Sequence, residues 1–197
     1  MDNLVLCGRS AVLAFAGFAL LMAATRFPGL ASDLHLQDAS WAVFFLAGFY
    51  LKEHWRWAFP ALMATAVGID WIAIQHLGVS NYCVTVAYWF LLPAYGTLWL
   101  GGSSLRHKAT MDLRSLARVV ATLIVAVSAC FLISDASFYW LGGRVIERRL
   151  TGWAGNFTTW YWPMVRIPIA YVAIATLLHV LLLQLRPSVT TGVDRST

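Results

Sequence analysis

Residues 81–101 have the sequence NYCVTVAYWFLLPAYGTLWLG, an almost continuous apolar run with a cysteine near its start. About 20 such residues, at a rise of about 1.5 Å each, cover the roughly 30 Å hydrocarbon core of a bilayer. The run therefore predicts a transmembrane helix, which Pro93 is expected to bend. Cys83 is predicted to lie where this helix meets water.

The composition of the whole chain excludes an ordinary soluble domain. Of the 197 residues, 60% are hydrophobic and 12% are charged, and the mean hydropathy is +0.69. These values are typical of an integral membrane protein, so the lipid bilayer is the first expected partner. The net charge of +5 is scattered over the predicted loops, which argues against a nucleic-acid partner.

Five further apolar stretches complete a predicted all-α membrane bundle. The six predicted transmembrane helices are residues 4–27, 39–51, 57–75, 81–101, 116–140 and 160–185. We expect residues 1–187 to form one six-helix domain and residues 188–197 a polar C-terminal tail. The second stretch is short enough to be either a span or a re-entrant segment, whereas Pro60 is tolerated in the first turn of the third. The long connection 142–159 predicts a lid or binding loop.

The first stretch, residues 4–27, has a second interpretation as a secretory signal peptide. Arg9 would be its basic region and residues 29–31 its cleavage site, although the leading segment is not clearly basic. As a transmembrane helix, the stretch presents Ala19 and Ala23 as a small-residue face for close helix contact.

The lysines and arginines predict the orientation of the bundle. Six spans put both termini on one side of the membrane. That side carries Arg9, Lys52, Arg56, Arg106, Lys108, Arg114, Arg118, Arg186 and Arg195, whereas the other carries Arg26, Arg144, Arg148 and Arg149. The positive-inside rule therefore predicts cytoplasmic N and C termini, and Cys83 on the outer side.

Four polar groups are predicted at a similar depth below the outer ends of their helices. Helix rise puts Asp70 and Asp135 about 10 Å deep, Arg166 about 9 Å deep and Tyr88 about 8 Å below Cys83. Ionisable residues within spans usually face a partner or a cavity, so these four predict a polar pocket that opens outward. The structural alternative is that Arg166 only pairs with Asp70 or Asp135 to hold the bundle together.

Loop residues are predicted to surround the mouth of this pocket. His35 and Gln37 belong to the first outer loop, Asn81 and Tyr82 precede the cysteine, and Trp153 and Asn156 belong to the last outer loop. The predicted substrate-binding residues are thus His35, Gln37, Asp70, Asn81, Tyr82, Tyr88, Asp135, Trp153, Asn156 and Arg166.

The three cysteines form no disulfide framework or CxxC motif, so each is judged alone. Most lone cysteines in apolar helices are inert, and Cys130 is expected to belong to the core. Cys83, however, is predicted at a helix N-terminus, where the dipole favours the thiolate that binds soft metals. One thiolate cannot build a metal site, so the metal would have to arrive inside its own macrocycle. Cys7 lacks the small preceding residue of a lipobox.

A small six-span chain with an alanine-rich first helix and the sequence Asn81-Tyr82-Cys83-Val84-Thr85 resembles the cobalamin-specific S components of energy-coupling factor (ECF) transporters, in particular the solitary BtuM type. The resemblance covers nearly the whole chain in architecture, and its specific part is Cys83 with the aromatic helix after it. It implies an S-component-like bundle in the bacterial inner membrane that captures vitamin B12 from the periplasmic side.

The resemblance also implies roles for particular residues. Cys83 would ligate the cobalt of cobalamin axially and displace the lower base, and cobalamin would be a bound substrate rather than a cofactor of the protein. Ala19 and Ala23 would form the face that docks on an ECF transmembrane coupling subunit, although the solitary type need not keep a dedicated module. Thiolate coordination at Cys83 is also a hypothesis for a modest, catalytic decyanation of cyanocobalamin.

Two other functions stay open at this point. One is an S component for a different vitamin, because function belongs to the site rather than to the scaffold. The other is a haem-binding membrane redox protein that uses His35, His76 or His179, although these histidines are not predicted at matched depth. No Walker A motif is present in the sequence, so an ATPase, if one is used, is a separate protein.

Overall fold

A computed structural model describes residues 8–33, 36–106 and 113–184 of the chain. Every regular element within these residues is helical, which confirms the all-α prediction for this part of the chain. The α-helices are α1 (Gly8–Arg26), α2 (Pro28–Asp33), α3 (Ser40–Tyr50), α4 (Trp55–His76), α5 (Leu91–Leu105), α6 (Leu113–Leu141) and α7 (Leu150–Gln184). Short 3-10 turns cover Lys52–His54, Asn81–Cys83 and Val86–Phe90.

Four helical segments are long and apolar enough to cross a membrane: Gly8–Arg26, Lys52–His76, Leu113–Leu141 and Leu150–Leu182. Large apolar side chains cover their outer faces, as Leu13 on α1 and Val125 on α6 show with 72% and 68% exposure. Such surfaces are expected where lipid rather than water is the neighbour. The chain thus has the character of a multi-pass membrane protein.

The two shorter apolar helices, α3 and α5, form the centre of the bundle. They pack so closely that glycine is required at the contact, because a Cβ atom at Gly48 would overlap the Trp99 carbonyl oxygen and one at Gly102 the Phe45 carbonyl oxygen. The Ser103 hydroxyl donates to the Gly48 carbonyl oxygen at 3.0 Å across this contact. Seven of the 11 residues of α3 are buried, so this helix is the core against which the others pack.

The helices alternate in direction. At one end of the bundle, Arg26 at the end of α1 contacts Asp70 near the end of α4. At the other end, the Tyr50 hydroxyl at the end of α3 lies 2.9 Å from His179 Nδ1 near the end of α7, and Arg106 after α5 donates to the Tyr50 carbonyl oxygen. Helices α1 and α4 therefore run one way, and α3, α5 and α7 run the other. We call the two ends the Arg26 end and the Tyr50 end.

The predicted helix over residues 81–101 is wrong for its first ten residues. The Ser80 hydroxyl accepts from the Tyr82 N–H and the Thr85 hydroxyl from the Ala87 N–H, and each bond caps a short 3-10 turn. Such side-chain bonds give the backbone an alternative to a continuous helix. Helix α5 therefore begins only at Leu91. Pro93 lies in its first turn, where no N–H is needed for a hydrogen bond within the helix.

The predicted long loop over residues 142–159 is also too long. Helix α7 begins at Leu150, so the connection is residues 142–149. The stretch is rich in glycine, arginine and aromatic residues, and glycine has a low helix propensity, but contacts of residues 153 and 156 with α6 outweigh this propensity. Helix α4 likewise begins earlier than predicted, at Trp55, which puts Pro60 beyond its first turn.

Candidate binding site

The last residue of α1, Arg26, forms a two-pronged ion pair with Asp70 on α4. Arg26 Nε donates to Asp70 Oδ1 and Arg26 Nη2 to Asp70 Oδ2, both at 2.7 Å. The arginine side chain is only 14% exposed. A fork of this kind combines charge attraction with fixed geometry, and removing one partner strands a charge with little water around it. The pair therefore holds α1 against α4.

A second carboxylate, that of Asp38, contacts the same guanidinium. Arg26 Nη1 donates to Asp38 Oδ2 at 2.9 Å and to the Ser40 hydroxyl at 3.0 Å. Asp38 Oδ1 in turn accepts from the N–H and the hydroxyl of Ser40 at the start of α3. One arginine thus faces two carboxylates. The Asp38 side chain is 45% exposed, so this group of charges is open to its surroundings on one side.

Two tyrosines complete the group. The Tyr88 hydroxyl donates to Asp70 Oδ2 at 2.7 Å, and Arg26 Nη1 donates to the Tyr95 hydroxyl at 3.4 Å. Burial, together with the hydrogen bond to Asp70, raises the pKa of Tyr88, so the phenol keeps its proton and acts as the donor. We call the six residues the Arg26 cluster: Arg26, Asp38, Ser40, Asp70, Tyr88 and Tyr95.

The predicted pocket includes Asp70 and Tyr88, and the structure brings these two residues into contact. The structural alternative, in which Arg166 pairs with Asp70 or Asp135, is wrong. Arg166 is exposed on α7, and within the described residues it forms no ion pair with Asp70 or Asp135. Arg26 enters the sequence predictions only as one of the four basic residues on the outer side. The sequence signal for the contact between Arg26 and Asp70 is an arginine at the end of one predicted span and an acid within another.

Asp135 forms a separate polar group between α6 and α7. Its Oδ2 accepts from Trp153 Nε1 at 2.8 Å, and its Oδ1 accepts from Asn156 Nδ2 at 2.7 Å. Three predicted binding residues therefore lie together, but their polar atoms bind one another. Trp153 also contacts Phe157, which packs on Phe131 of α6. The group fastens the first turns of α7 to α6.

Residues 81–90 carry Cys83 across the Arg26 end. The backbone of Cys83 closes the Asn81–Cys83 turn and is followed by extended residues, and its side chain lies outside the part that the structure describes. Because α5 begins only at Leu91, the predicted position of Cys83 at an α-helix N-terminus is wrong, and the helix-dipole argument for a thiolate no longer applies. Asn81 and Tyr82 are exposed, and Trp89 is 81% exposed.

Contacts on both sides fix this segment. Tyr88 binds Asp70 of the Arg26 cluster, as described above. At the other end of the segment, the Tyr82 ring packs on Phe138 of α6 with ring centroids 5.8 Å apart. Arg144 from the 142–149 connection lies with Cζ 4.8 Å above the Tyr82 ring and donates from Nε to the Tyr82 carbonyl oxygen at 3.2 Å. The segment thus links α4, α6 and the connection before α7.

The remaining predicted binding residues occur in the first connection. Gln37 is exposed, and its carbonyl oxygen accepts from the Tyr171 hydroxyl of α7 at 2.8 Å. His35 lies outside the described residues. Of the other two candidate haem ligands, His76 ends α4 at the Arg26 end, whereas His179 lies at the Tyr50 end. Because α4 rises about 31 Å between these ends, His76 and His179 do not lie on either side of one haem.

The cysteines and acids provide no metal site of their own in the described part of the chain. No group of three or more histidine, cysteine, aspartate or glutamate side chains is close enough there to hold an ion. Cys130 is fully buried in α6, as predicted. Cys7 precedes the described residues.

Ala19 and Ala23 are only partly exposed on α1, and Ala19 packs against the core. The outward face of α1 is formed instead by Leu13, Gly17 and Leu20, of which the two leucines are 72% and 70% exposed. The small residues of this helix therefore serve packing within the bundle at least in part.

The fold and these contacts define a multi-pass helical membrane protein with a charged cluster at one end of its bundle. No family model matches the chain, and no curated protein matches it either. Function has to be argued from the residues themselves.

Proposed function

We propose that this chain is the substrate-binding membrane protein of a vitamin B12 uptake system. It captures cobalamin from the outer face of the bacterial inner membrane, with Cys83 as axial ligand of the substrate's cobalt. The observation that carries the proposal is the position of residues 81–90. This non-helical segment includes the cysteine and is fixed at one end by Asp70 and at the other by Arg144.

The chemistry of the ligand agrees with this arrangement. A corrin ring holds cobalt through four nitrogens and leaves axial positions, so one thiolate from Cys83 is enough to complete a bond. The exposed rings of Tyr82 and Trp89 on the same segment offer apolar surface, and Asn81 offers an amide that can pair with the amides around the corrin rim. Asp38 of the Arg26 cluster and the neighbouring Gln37 add exposed polar groups.

The structure changes the way in which the thiolate has to be favoured. The α-helix N-terminus is eight residues away from Cys83, so cobalt itself has to favour loss of the thiol proton on binding. Affinity is then expected to fall as the pH is lowered, because the free thiol competes with coordination.

Six crossing segments with cytoplasmic termini are part of the proposal. The alternating directions of the helices and the basic residues Lys52, Arg56 and Arg106 near the Tyr50 end support a cytoplasmic Tyr50 end. In that orientation the Arg26 end and residues 81–90 face the periplasm. Docking of an ECF coupling subunit would use the outward face of α1, around Leu13 and Leu20, together with the partly exposed Ala19 and Ala23.

Cobalamin binding by the purified chain tests the proposal. Wild type should bind aquocobalamin with a shifted corrinoid absorption spectrum. Cys83→Ala should lose the shift and bind at least about tenfold more weakly, which corresponds to about 1.4 kcal/mol. Cys130→Ala is the matched control, since Cys130 is buried in α6 and should leave binding and spectrum unchanged.

Three outcomes would contradict the proposal. Equal affinity and equal spectra for wild type and Cys83→Ala would show that Cys83 is not the axial ligand of the cobalt. A haem Soret band in the purified protein would favour the redox alternative, and binding of another vitamin without cobalamin binding would favour a different S component.

Incubation with cyanocobalamin tests decyanation, for which wild type, but not Cys83→Ala, should release cyanide. Growth of a B12-dependent strain with and without an ECF module would show whether the chain needs that partner.

A further inference from the structure

The Asn81–Cys83 turn has little to hold it in place by itself. Its internal hydrogen bonds are local, from the Val84 N–H to the Asn81 carbonyl oxygen at 2.9 Å and from the Tyr82 N–H to the Ser80 hydroxyl at 3.2 Å. A single 3-10 turn of this kind is marginal on its own. Its position therefore depends on contacts with other parts of the chain, and the middle residue, Tyr82, makes them.

Arg144 holds Tyr82 in two ways at once. Its Nε donates to the Tyr82 carbonyl oxygen at 3.2 Å, and its Cζ lies 4.8 Å above the centroid of the Tyr82 ring. The first contact fixes the backbone of the turn and the second fixes the side chain. Phe138 supports the same ring with centroids 5.8 Å apart. A hydrogen bond and a cation–π contact from one guanidinium restrain both rotation and displacement of the turn.

The connection that carries Arg144 is itself anchored at both ends. At its start, the Gly142 N–H donates to the Phe138 carbonyl oxygen at 2.9 Å, and Gly143 has a φ of 69°, which lets the chain turn back toward residue 82. At its end, the Tyr139 hydroxyl donates to the Arg149 carbonyl oxygen at 3.1 Å and accepts from the Arg149 N–H at 3.3 Å. The connection that carries Arg144 is therefore held at both ends by hydrogen bonds.

We propose that Arg144 is a positioning residue that fixes the Asn81–Cys83 turn in one conformation before substrate arrives. The importance of this for capture rests on the proposed function, in which Cys83 binds the cobalt of cobalamin. A turn that is already ordered does not have to lose conformational freedom on binding, so the clamp raises affinity without touching the ligand. Loss of the clamp should weaken binding but leave the bound state unchanged.

Hydrogen exchange of the full-length, ligand-free protein in detergent tests the clamp directly. In Arg144→Ala, the amides of Tyr82 and Val84 should exchange about tenfold faster, which corresponds to the combined loss of an exposed cation–π contact and a hydrogen bond. Arg148→Ala is the matched control. Arg148 is an exposed arginine of the same connection, and its side chain forms no hydrogen bond, ion pair or cation–π contact with a described residue. Exchange at Tyr82 and Val84 should be unchanged in this control.

Cobalamin titration tests the consequence for capture. Arg144→Ala should raise the Kd about five- to tenfold and leave the absorption spectrum at saturation the same as in wild type, because the axial bond still forms. Arg144→Lys keeps the charge over the ring but loses the Nε donor, so its Kd should lie between the two. Tyr82→Leu removes the ring that Arg144 covers and should reproduce the faster exchange at Val84.

The outcomes separate the two proposals. If wild type does not bind cobalamin, the proposed function fails, whereas the exchange experiment still decides whether the clamp exists. Exchange in Arg144→Ala that equals exchange in Arg148→Ala would overturn the clamp. Faster exchange with an unchanged Kd would overturn its role in capture, and a changed spectrum at saturation would mean that Arg144 acts on the bound state instead.

Discussion

The bundle has two halves that are held together by different physical means. In the half formed by α1, α3, α4 and α5, a partly buried arginine bridges two acids and glycines bring two helices into backbone contact. In the half formed by α6 and α7, hydrogen bonds to the single carboxylate of Asp135 and aromatic rings make the contacts. Only Val165, Pro168 and Val172 are buried among the described side chains of α7.

The two kinds of contact determine which half of the protein is more rigid. Close backbone packing and a buried ion pair tolerate little displacement, because each has one good geometry. Aromatic edges and partly buried single hydrogen bonds tolerate more displacement. Residues 81–90 join the two halves, with Tyr88 on the tightly held side and Tyr82 on the looser one. Substitutions in each half should therefore differ in cost.

The largest effect is expected at Arg26. Arg26→Leu leaves Asp70 and Asp38 without their cation. Breaking a fully buried pair costs about 3–5 kcal/mol, and because these carboxylates are 24% and 45% exposed, we expect a loss of about 3 kcal/mol. The free energy of unfolding, measured by denaturant titration in detergent, should fall by this amount. Arg166→Leu is the matched control, because this arginine is exposed on α7 and its loss should change stability by less than about 0.5 kcal/mol. Equal effects of the two substitutions would contradict the structure.

A smaller effect is expected at the glycine contact between α3 and α5. A Cβ atom at Gly102 would overlap the Phe45 carbonyl oxygen, so Gly102→Ala forces the helices apart at a cost of about 1–3 kcal/mol. Gly96 lies on the same helix with nothing within 4 Å of a Cβ atom. Gly96→Ala should therefore be neutral or stabilise the protein by up to about 1 kcal/mol, since alanine has the higher helix propensity. Thermal unfolding of both variants would show whether they move in opposite directions.

The smallest effect is expected at the fastening of α7 to α6. Trp153→Phe removes the indole N–H that donates to Asp135 and should cost about 0.5–1.5 kcal/mol. Trp162→Phe makes the same chemical change at an indole of α7 that is 62% exposed, and it should leave stability unchanged. Hydrogen exchange over residues 150–157 is the sensitive measurement. No difference between the two variants there would mean that the Asp135 group does not secure α7.

Apolar patterning was sufficient to predict the helices but not all of their limits. The stretches 4–27, 57–75 and 116–140 correspond to α1, α4 and α6, because about 20 apolar residues in a row have few other stable arrangements in lipid. The burial of Cys130 followed from its apolar neighbours in the same way.

The errors have local or tertiary causes. Hydropathy does not register the Ser80 and Thr85 hydroxyls that cap short turns, so the helix over 81–101 was placed ten residues too early. The early start of α7 depends on Asp135 of another helix, which no local pattern shows. Equal depth made Arg166 a plausible partner for Asp70, but depth gives no direction around a helix, and it is Arg26 that faces the acid.

The shortness of α3 bears on how the chain enters a membrane. With 11 residues it rises about 16 Å, roughly half of the hydrocarbon thickness of a bilayer. Seven of these residues are buried against the longer helices around them. We therefore expect α3 to insert together with its neighbours rather than as an independent helix.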